Sequence, residues 1–369
     1  MVVHEYGGNI SRDGVEQVSV VMIMYNRKEY TKQAVESLLN QDYPNLEIVI
    51  SDDKSDDGAL EVALEVVKDY KGPHRVVVNV NEKNLGLCGN FAAAMSLAHG
   101  NWIVACGGDD VQHADRVSRI VEYAHRYPTA VVVGSGANTI DSAGVQTGSM
   151  GVEAPCLYRR YVAGDFKMCS PNVADSSATF SLAAGACAAY RKEIFSAVAF
   201  PVTAVFEDLV MDFRGIQMGD MLLVPDRLLD YRIHQFSVCS GGRKSSRRAE
   251  RRCSRRRISA SSYVSWKGVW ADAIALQLIK DARFFKKIEV EVARSLLWSF
   301  REKQVFSKNA KLYQAAYKVA RREYSFFSLL RGAEGRGVAV PFLAVAMCSF
   351  ASMFVQLDFK RLLKIEEGL

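Results

Sequence analysis

Between residue 18 and about residue 133, short apolar runs rich in β-formers alternate with stretches whose apolar residues recur at helical spacing. Residues 18–25 (Val-Ser-Val-Val-Met-Ile-Met-Tyr) are almost continuously apolar, as a strand covered on both faces requires. Residues 28–41 then read as a helix with Tyr30, Ala34, Leu38 and Leu39 on one face. The pattern predicts a strand over 46–50, a helix over 60–70 closed by Gly72-Pro73, and a strand over 75–80. A helix over 90–98 and a strand over 102–105 follow. Strand–helix alternation at this spacing implies right-handed crossovers and an open, mainly parallel sheet. The expected fold class is α/β and Rossmann-like, with helices on both faces of a mixed sheet.

In such sheets ligands bind beyond the carboxyl ends of the strands. The residues at those ends are Tyr25-Asn26, Asp52-Asp53 and Asp109-Asp110, so three strands deliver polar or acidic groups to one rim. Gly107 and Gly108 precede the last pair and let the backbone approach a ligand closely. Paired carboxylates there suit a hard divalent cation, Mg2+ or Mn2+, which takes one or two protein carboxylates and fills its remaining positions from phosphate oxygens. Asp56 and Asp57 read as a helix N-cap, and Asn84-Leu85-Gly86 as a structural turn.

After about Gly134 the alternation fades into loops rich in Ser, Gly and Ala. Residues 243–257 carry nine Lys and Arg against one acidic residue, Glu250. Beyond them Phe285, Ile288, Val292 and Leu296 recur at helical spacing, and residues 338–357 form an apolar segment just long enough to span a bilayer. These shifts suggest an N-terminal tail over 1–14, a main domain over 15–240, a basic linker over 241–260 and a helical C-terminal region over 261–369. The basic stretch and the apolar segment together point to an anionic membrane surface, with a peripheral location on the inner face of the cell membrane. The stretch lacks interleaved aromatics and any recognisable module, which argues against nucleic acid.

The 369-residue chain has ordinary globular proportions, 49% hydrophobic and 24% charged, with a net charge of +6. Its eight cysteines show no C-x-x-C spacing and several lie in apolar runs. They read as reduced packing residues of a cytoplasmic protein. The first 17 residues have no charged-then-apolar signal pattern.

Residues 18–27, Ser37-Leu-Leu-Asn-Gln41, residues 47–56, Asn84-Leu-Gly86 and Gly108-Asp-Asp110 occur in unbroken order. With a weaker continuation through Gly185, Glu207-Asp208 and Tyr231-Arg-Ile-His234, the set resembles the GT-A glycosyltransferases of family 2. The resemblance implies an inverting, non-processive transfer of a sugar from a nucleotide-diphosphate sugar donor to a glycan or lipid-linked acceptor, in cell-surface glycan assembly. It implies that Tyr25 packs on the base, that Asp53 hydrogen-bonds base or ribose, and that Asp109 contacts ribose or sugar. Asp110 would bind the cation, with His234 reaching back to it. Asp208 would be the catalytic base and Glu207 a neighbour that orients the loop or touches acceptor. The family's Asp-x-Asp motif here has Gly108 at its first position, which leaves Asp110 as the secure protein ligand. No Gln-x-x-Arg-Trp pattern of processive synthases follows the Glu-Asp pair. A nucleotidyltransferase, or a dinucleotide-binding domain, would need a glycine-rich loop after the first strand, where this chain has Tyr25-Asn-Arg-Lys-Glu. A non-enzymatic membrane-associated module that binds nucleotide-sugar is the remaining alternative.

Overall fold

The computed structural model describes residues 2–8, 14–158, 185–197, 200, 207–234 and 237. The chain divides into two compact units, Met1–His234 and Gln235–Leu369. The expectations for 243–257 and 338–357 lie outside the described residues. Among those that are described, no helix is long and apolar enough to cross a membrane.

The first unit alternates as the sequence suggests. Strand β1 (Val2–Gly7) is followed by β2 (Val18–Met24), α1 (Lys28–Leu39), β3 (Leu46–Asp52), α2 (Ala59–Val67), β4 (Arg75–Val80), α3 (Gly86–Leu97) and β5 (Trp102–Gly107). Then come β6 (Val111–Gln112), α4 (Arg116–Arg126), β7 (Ala130–Ile140), β8 (Gln146–Met150) and β9 (Cys156–Tyr158). A 3-10 turn (Gly185–Cys187), β10 (Ala188–Arg191), α5 (Lys192–Ser196), α6 (Glu207–Met218) and β11 (Asp220–Arg232) complete it.

The sheet is mixed, in the order β1-β4-β3-β2-β5-β10-β7-β11-β6. Strands β4, β3, β2 and β5 are parallel to one another, while β1 and β10 flank this block antiparallel. The residues 2–7, expected to be part of a polar tail, are instead an edge strand in register with β4. Its alternation is short and charged, so it carries little hydrophobic signal, and Arg75 completes the pairing with an ion pair to Glu5 at 2.9 Å.

Period-2 alternation sorts the parallel block between two cores. Val20, Met22, Ile48, Ile50, Val76 and Val104 face α1, α2 and α4, whose Val35, Leu38, Ala63 and Ile120 join the same cluster. Val21, Val49, Val77 and Ile103 face the other way, onto Phe91 and Met95 of α3 and Met211 of α6. On that second face the strands also carry buried polar residues at either end. Glu47, fully buried, accepts from Ser19 Oγ at 2.6 Å, from the His99 backbone N–H at 2.7 Å and from Arg75. At the opposite end Ser51, Asn79, Asn81 and Asn90 form the network described below.

Candidate active site

The parallel register brings the carboxyl ends level. Met24 lies opposite Asp52, Ile23 opposite Gly107, and Val80 opposite Asp52. The residues that follow these strands therefore share one rim. Tyr25 is 43% exposed there, presenting a free aromatic face. Asn26 turns the chain with φ of 52°, a left-handed conformation that an Asn tolerates. Its amide exchanges two hydrogen bonds with Asp56, while Asp57 accepts from the backbone N–H of Lys28 and of Ala59, each at 2.9 Å. One aspartate thus caps the first residues of both α1 and α2, beyond the single cap expected.

Asp53 sits at the centre of a preorganised corner. Its carboxylate accepts from Asn81 Nδ2 at 3.0 Å, Leu85 N at 2.8 Å and Gly86 N at 2.9 Å, and it is 2% exposed. Two of these donors are the orphan amides of the α3 amino end, which favour a negative charge. Asn90 from α3 donates to the Ser51 carbonyl at 2.9 Å and accepts from Ser51 Oγ at 2.6 Å and from Asn81 Nδ2 at 2.9 Å. The helix expected to begin at 90 starts at Gly86, whose φ of 75° admits the sharp entry. Asp53 explains the extra turn, through a contact invisible to local periodicity. Asp53→Ala would leave the Leu85 N–H without its acceptor and the Gly86 N–H with Asn84 Oδ1 alone, and is expected to lower stability by about 1–3 kcal/mol in urea unfolding. An unchanged midpoint and slope would show that this carboxylate does not hold the corner. Asp52, by contrast, is consumed in a turn, accepting from Ser55 N at 3.0 Å.

Asp109 and Asp110 follow β5, and each has one oxygen pinned and one turned inward. Asp110 Oδ1 accepts from the backbone N–H of Arg232 at 2.8 Å. Asp109 Oδ2 meets His234 Nε2 at 2.8 Å and Arg27 Nε at 3.4 Å. The other two oxygens converge over Gly107. A Cβ there would lie 2.8 Å from Asp109 Oδ1 and 3.1 Å from Asp110 Oδ2. This is a cradle that a side chain would fill, and its donor set is the hard-oxygen kind a divalent cation takes. Burial first, and then the neighbouring Asp109 charge, push the Asp110 carboxyl up to about 8 against the lowering pull of Arg232 and Arg116. Among the described residues no group of three His, Cys, Asp or Glu is set to hold a metal alone. His234 is buried behind Asp109, with its ring 5.1 Å from that of Tyr30.

Glu207 and Asp208 lie in the first turn of α6, where the helix dipole favours carboxylates. Glu207 reaches Gly185, where an added Cβ would run into its Oε1 and come within 3.5 Å of Asp208 Cβ. Burial and then Asp208 push Glu207 up to about 8. Both carboxylates raise the pKa of Cys88, after the larger effect of that thiol's own burial in α3. Cys88 is two residues past the Gly86 amide that Asp53 holds. On the other side Arg116, 1% exposed, donates to Ala105 O in β5 at 3.1 Å and to Ala186 O beside Gly185 at 2.8 Å. Cys88 of α3 thus lies near both carboxylates, and Arg116 ties the backbone beside Gly185 to β5, the strand that precedes Asp110.

Arg116 and Arg232 were not singled out from sequence, because a buried arginine looks the same as a solvated one in a linear pattern. A groove of about 920 Å³ between α1 and α2, floored by Leu39, Val62, Val66 and Tyr70, touches none of the acidic strand tips.

Residues 19–198 match the family described as Glycosyl transferase family 2. The chain is 32% identical over 130 residues to the putative glycosyltransferase EpsE of Bacillus subtilis, a match covering 35% of this chain and 46% of that one. It is 36% identical over 108 residues to the abequosyltransferase RfbV of Salmonella typhimurium, covering 29% of this chain and 32% of the relative. The chain therefore spans less than half the length of these two relatives. Among solved structures, S. aureus TarS 1–349 in complex with UDP aligns with a TM-score of 0.53 at 13% identity, over 93% of this chain and 94% of that one. At that identity the likeness is one of fold. Just under half of the chain, residues 19–198, thus matches glycosyl transferase family 2, and the architecture it shares with the solved structure is a GT-A fold.

Proposed function

We propose that the chain transfers a sugar from a nucleotide-diphosphate donor to an acceptor hydroxyl with inversion, one sugar per encounter, in cell-surface glycan assembly. The observation that carries the reading is the pair of inward oxygens, Asp109 Oδ1 and Asp110 Oδ2, converging over Gly107 beside an exposed Tyr25. Tyr25 stacks on the base, and Asp53 holds the loop at 81–86 that borders it, with one acceptor site left for base or ribose. Asp109 orients ribose or sugar. Asp110 holds a divalent cation, Mg2+ or Mn2+, which when bound neutralises the departing diphosphate. His234 enters as the partner of Asp109, and would exchange that bond to reach the cation itself. Asp208 takes the proton of the attacking hydroxyl, and Glu207 fixes the loop at Gly185.

The relatives' names support sugar transfer, an abequosyltransferase among them. The acceptor is proposed to be a glycan or lipid-linked sugar, met at the inner face of the cell membrane by a peripheral protein. The basic composition of 243–257 supports that location. Thermal unfolding with UDP, GDP and dTDP, each with and without Mn2+, tests the donor half. One diphosphate is expected to stabilise the protein only with metal, by about 2.7 kcal/mol at a hundredfold excess over Kd. Indifference to all three would remove the reading. Metal-dependent binding with no hydrolysis or transfer from any nucleotide-sugar would favour the non-enzymatic module instead.

A further inference from the structure

Arg232 ends β11 and is 3% exposed, yet it lies in neither core cluster. Its Nε donates to the Asp109 carbonyl at 2.8 Å, while its own backbone N–H holds Asp110 Oδ1 at 2.8 Å. One guanidinium nitrogen donates to the Asp141 carbonyl at 3.0 Å, in the turn between β7 and β8, and the other to Gln33 Oε1 of α1 at 2.8 Å. The plane of the group lies 4.6 Å from the centre of the Tyr30 ring. The buried fork thus reaches the Asp109 backbone, two other elements and an aromatic face, while the backbone N–H of the same residue reaches Asp110.

Such a burial is costly for a charge unless its donors are met, and here they are met by groups that do not otherwise touch each other. Only a planar, multidentate donor spans this set, so lysine would not replace it. Building on the proposed function, we infer that Arg232 is the positioning residue of the acidic pair. Its backbone N–H fixes which oxygen of Asp110 is turned over Gly107, and its guanidinium anchors that stretch of backbone to Asp109, to α1 and to the β7–β8 turn. Arg232 itself touches neither cation nor donor. Its effect passes through Asp109 and Asp110, as outer hydrogen-bond partners tune a metal's ligands.

Manganese binding to the full chain, read from loss of the free Mn2+ EPR signal in the presence of UDP, GDP or dTDP, tests this. Arg232→Lys is expected to raise the Mn2+ concentration for half-saturation by about 10–100-fold. Gln33→Ala, at an exposed side chain, removes one tether and is expected to raise it by about 3-fold. Ligand-free unfolding midpoints separate this effect from general damage, and should one variant fail to fold, the other decides. Wild-type half-saturation in every folded variant, with wild type binding Mn2+ normally, overturns the positioning role alone. Absence of diphosphate-linked Mn2+ binding in the wild type itself removes the underlying donor reading, and this inference with it.

Discussion

Asp208→Asn is expected to lower kcat by about 10²–10⁴-fold while leaving metal-dependent diphosphate binding intact, because it removes a proton acceptor and little volume. The supporting geometry is the first turn of α6, where Asp208 and Glu207 share a confined space against Gly185 and Cys88. With Glu207 pushed up to about 8 by burial and by Asp208, the fully ionised pair exists only above that pH. The sign follows directly. A base must be deprotonated to act, and the negative charge that Glu207 gains as pH rises through about 8 strengthens the neighbouring Asp208 as a base, so wild-type kcat should climb across that range. Single-turnover transfer across this range, in wild type and Asp208→Asn, gives the check. A variant with wild-type kcat, or a rate that falls as pH rises through that value, would exclude the pair as the base.

Asp110→Ala is the other large effect. The remaining inward oxygen, from Asp109, cannot hold a hard cation with the diphosphate alone, and the variant should lose the Mn2+-dependent part of its thermal stabilisation entirely. Transfer should fall by at least about 10³-fold, the consequence of losing several kcal/mol of charge stabilisation at the leaving group. The substitution also leaves the buried Arg232 N–H without its acceptor, so the ligand-free protein should itself lose about 1–3 kcal/mol of stability. Calorimetry of the variant with and without diphosphate and metal separates the two results. Retained metal-dependent stabilisation would move the cation elsewhere.

Much of this was readable along the chain, for identifiable reasons. Strand β4 matches its expected bounds at Arg75–Val80, because a valine run between turn residues leaves no rival pattern. The acidic strand tips were legible because a parallel sheet puts carboxyl ends on one side, so sequence order alone predicts a shared rim. What escaped was whatever depends on distant partners. The amino turn of α3 needs Asp53, 33 residues away. In the other half of the sheet the parallel pair β7 and β11 has a bulged register, where period-2 alternation is broken. Arg116 and Arg232 act through backbone carbonyls, which carry no side-chain signature. His234 was identified by resemblance, and the structure places its nitrogen on Asp109.

Strand β10 has a consequence for how the protein comes to exist. It supplies four residues, pairs with β5 through Ala189 opposite Val104, and pairs with β7 through Ala189 opposite Val133. During synthesis the first five strands and three helices can condense from near neighbours, whereas β5 keeps a bare flank until the ribosome has delivered some eighty further residues. Distant pairings of this kind form slowly, and an uncovered flank invites pairing with another molecule. The nascent chain is therefore most prone to clump in that interval, and pulse-labelled amide exchange should find β2 to β4 protected before β5 and β7.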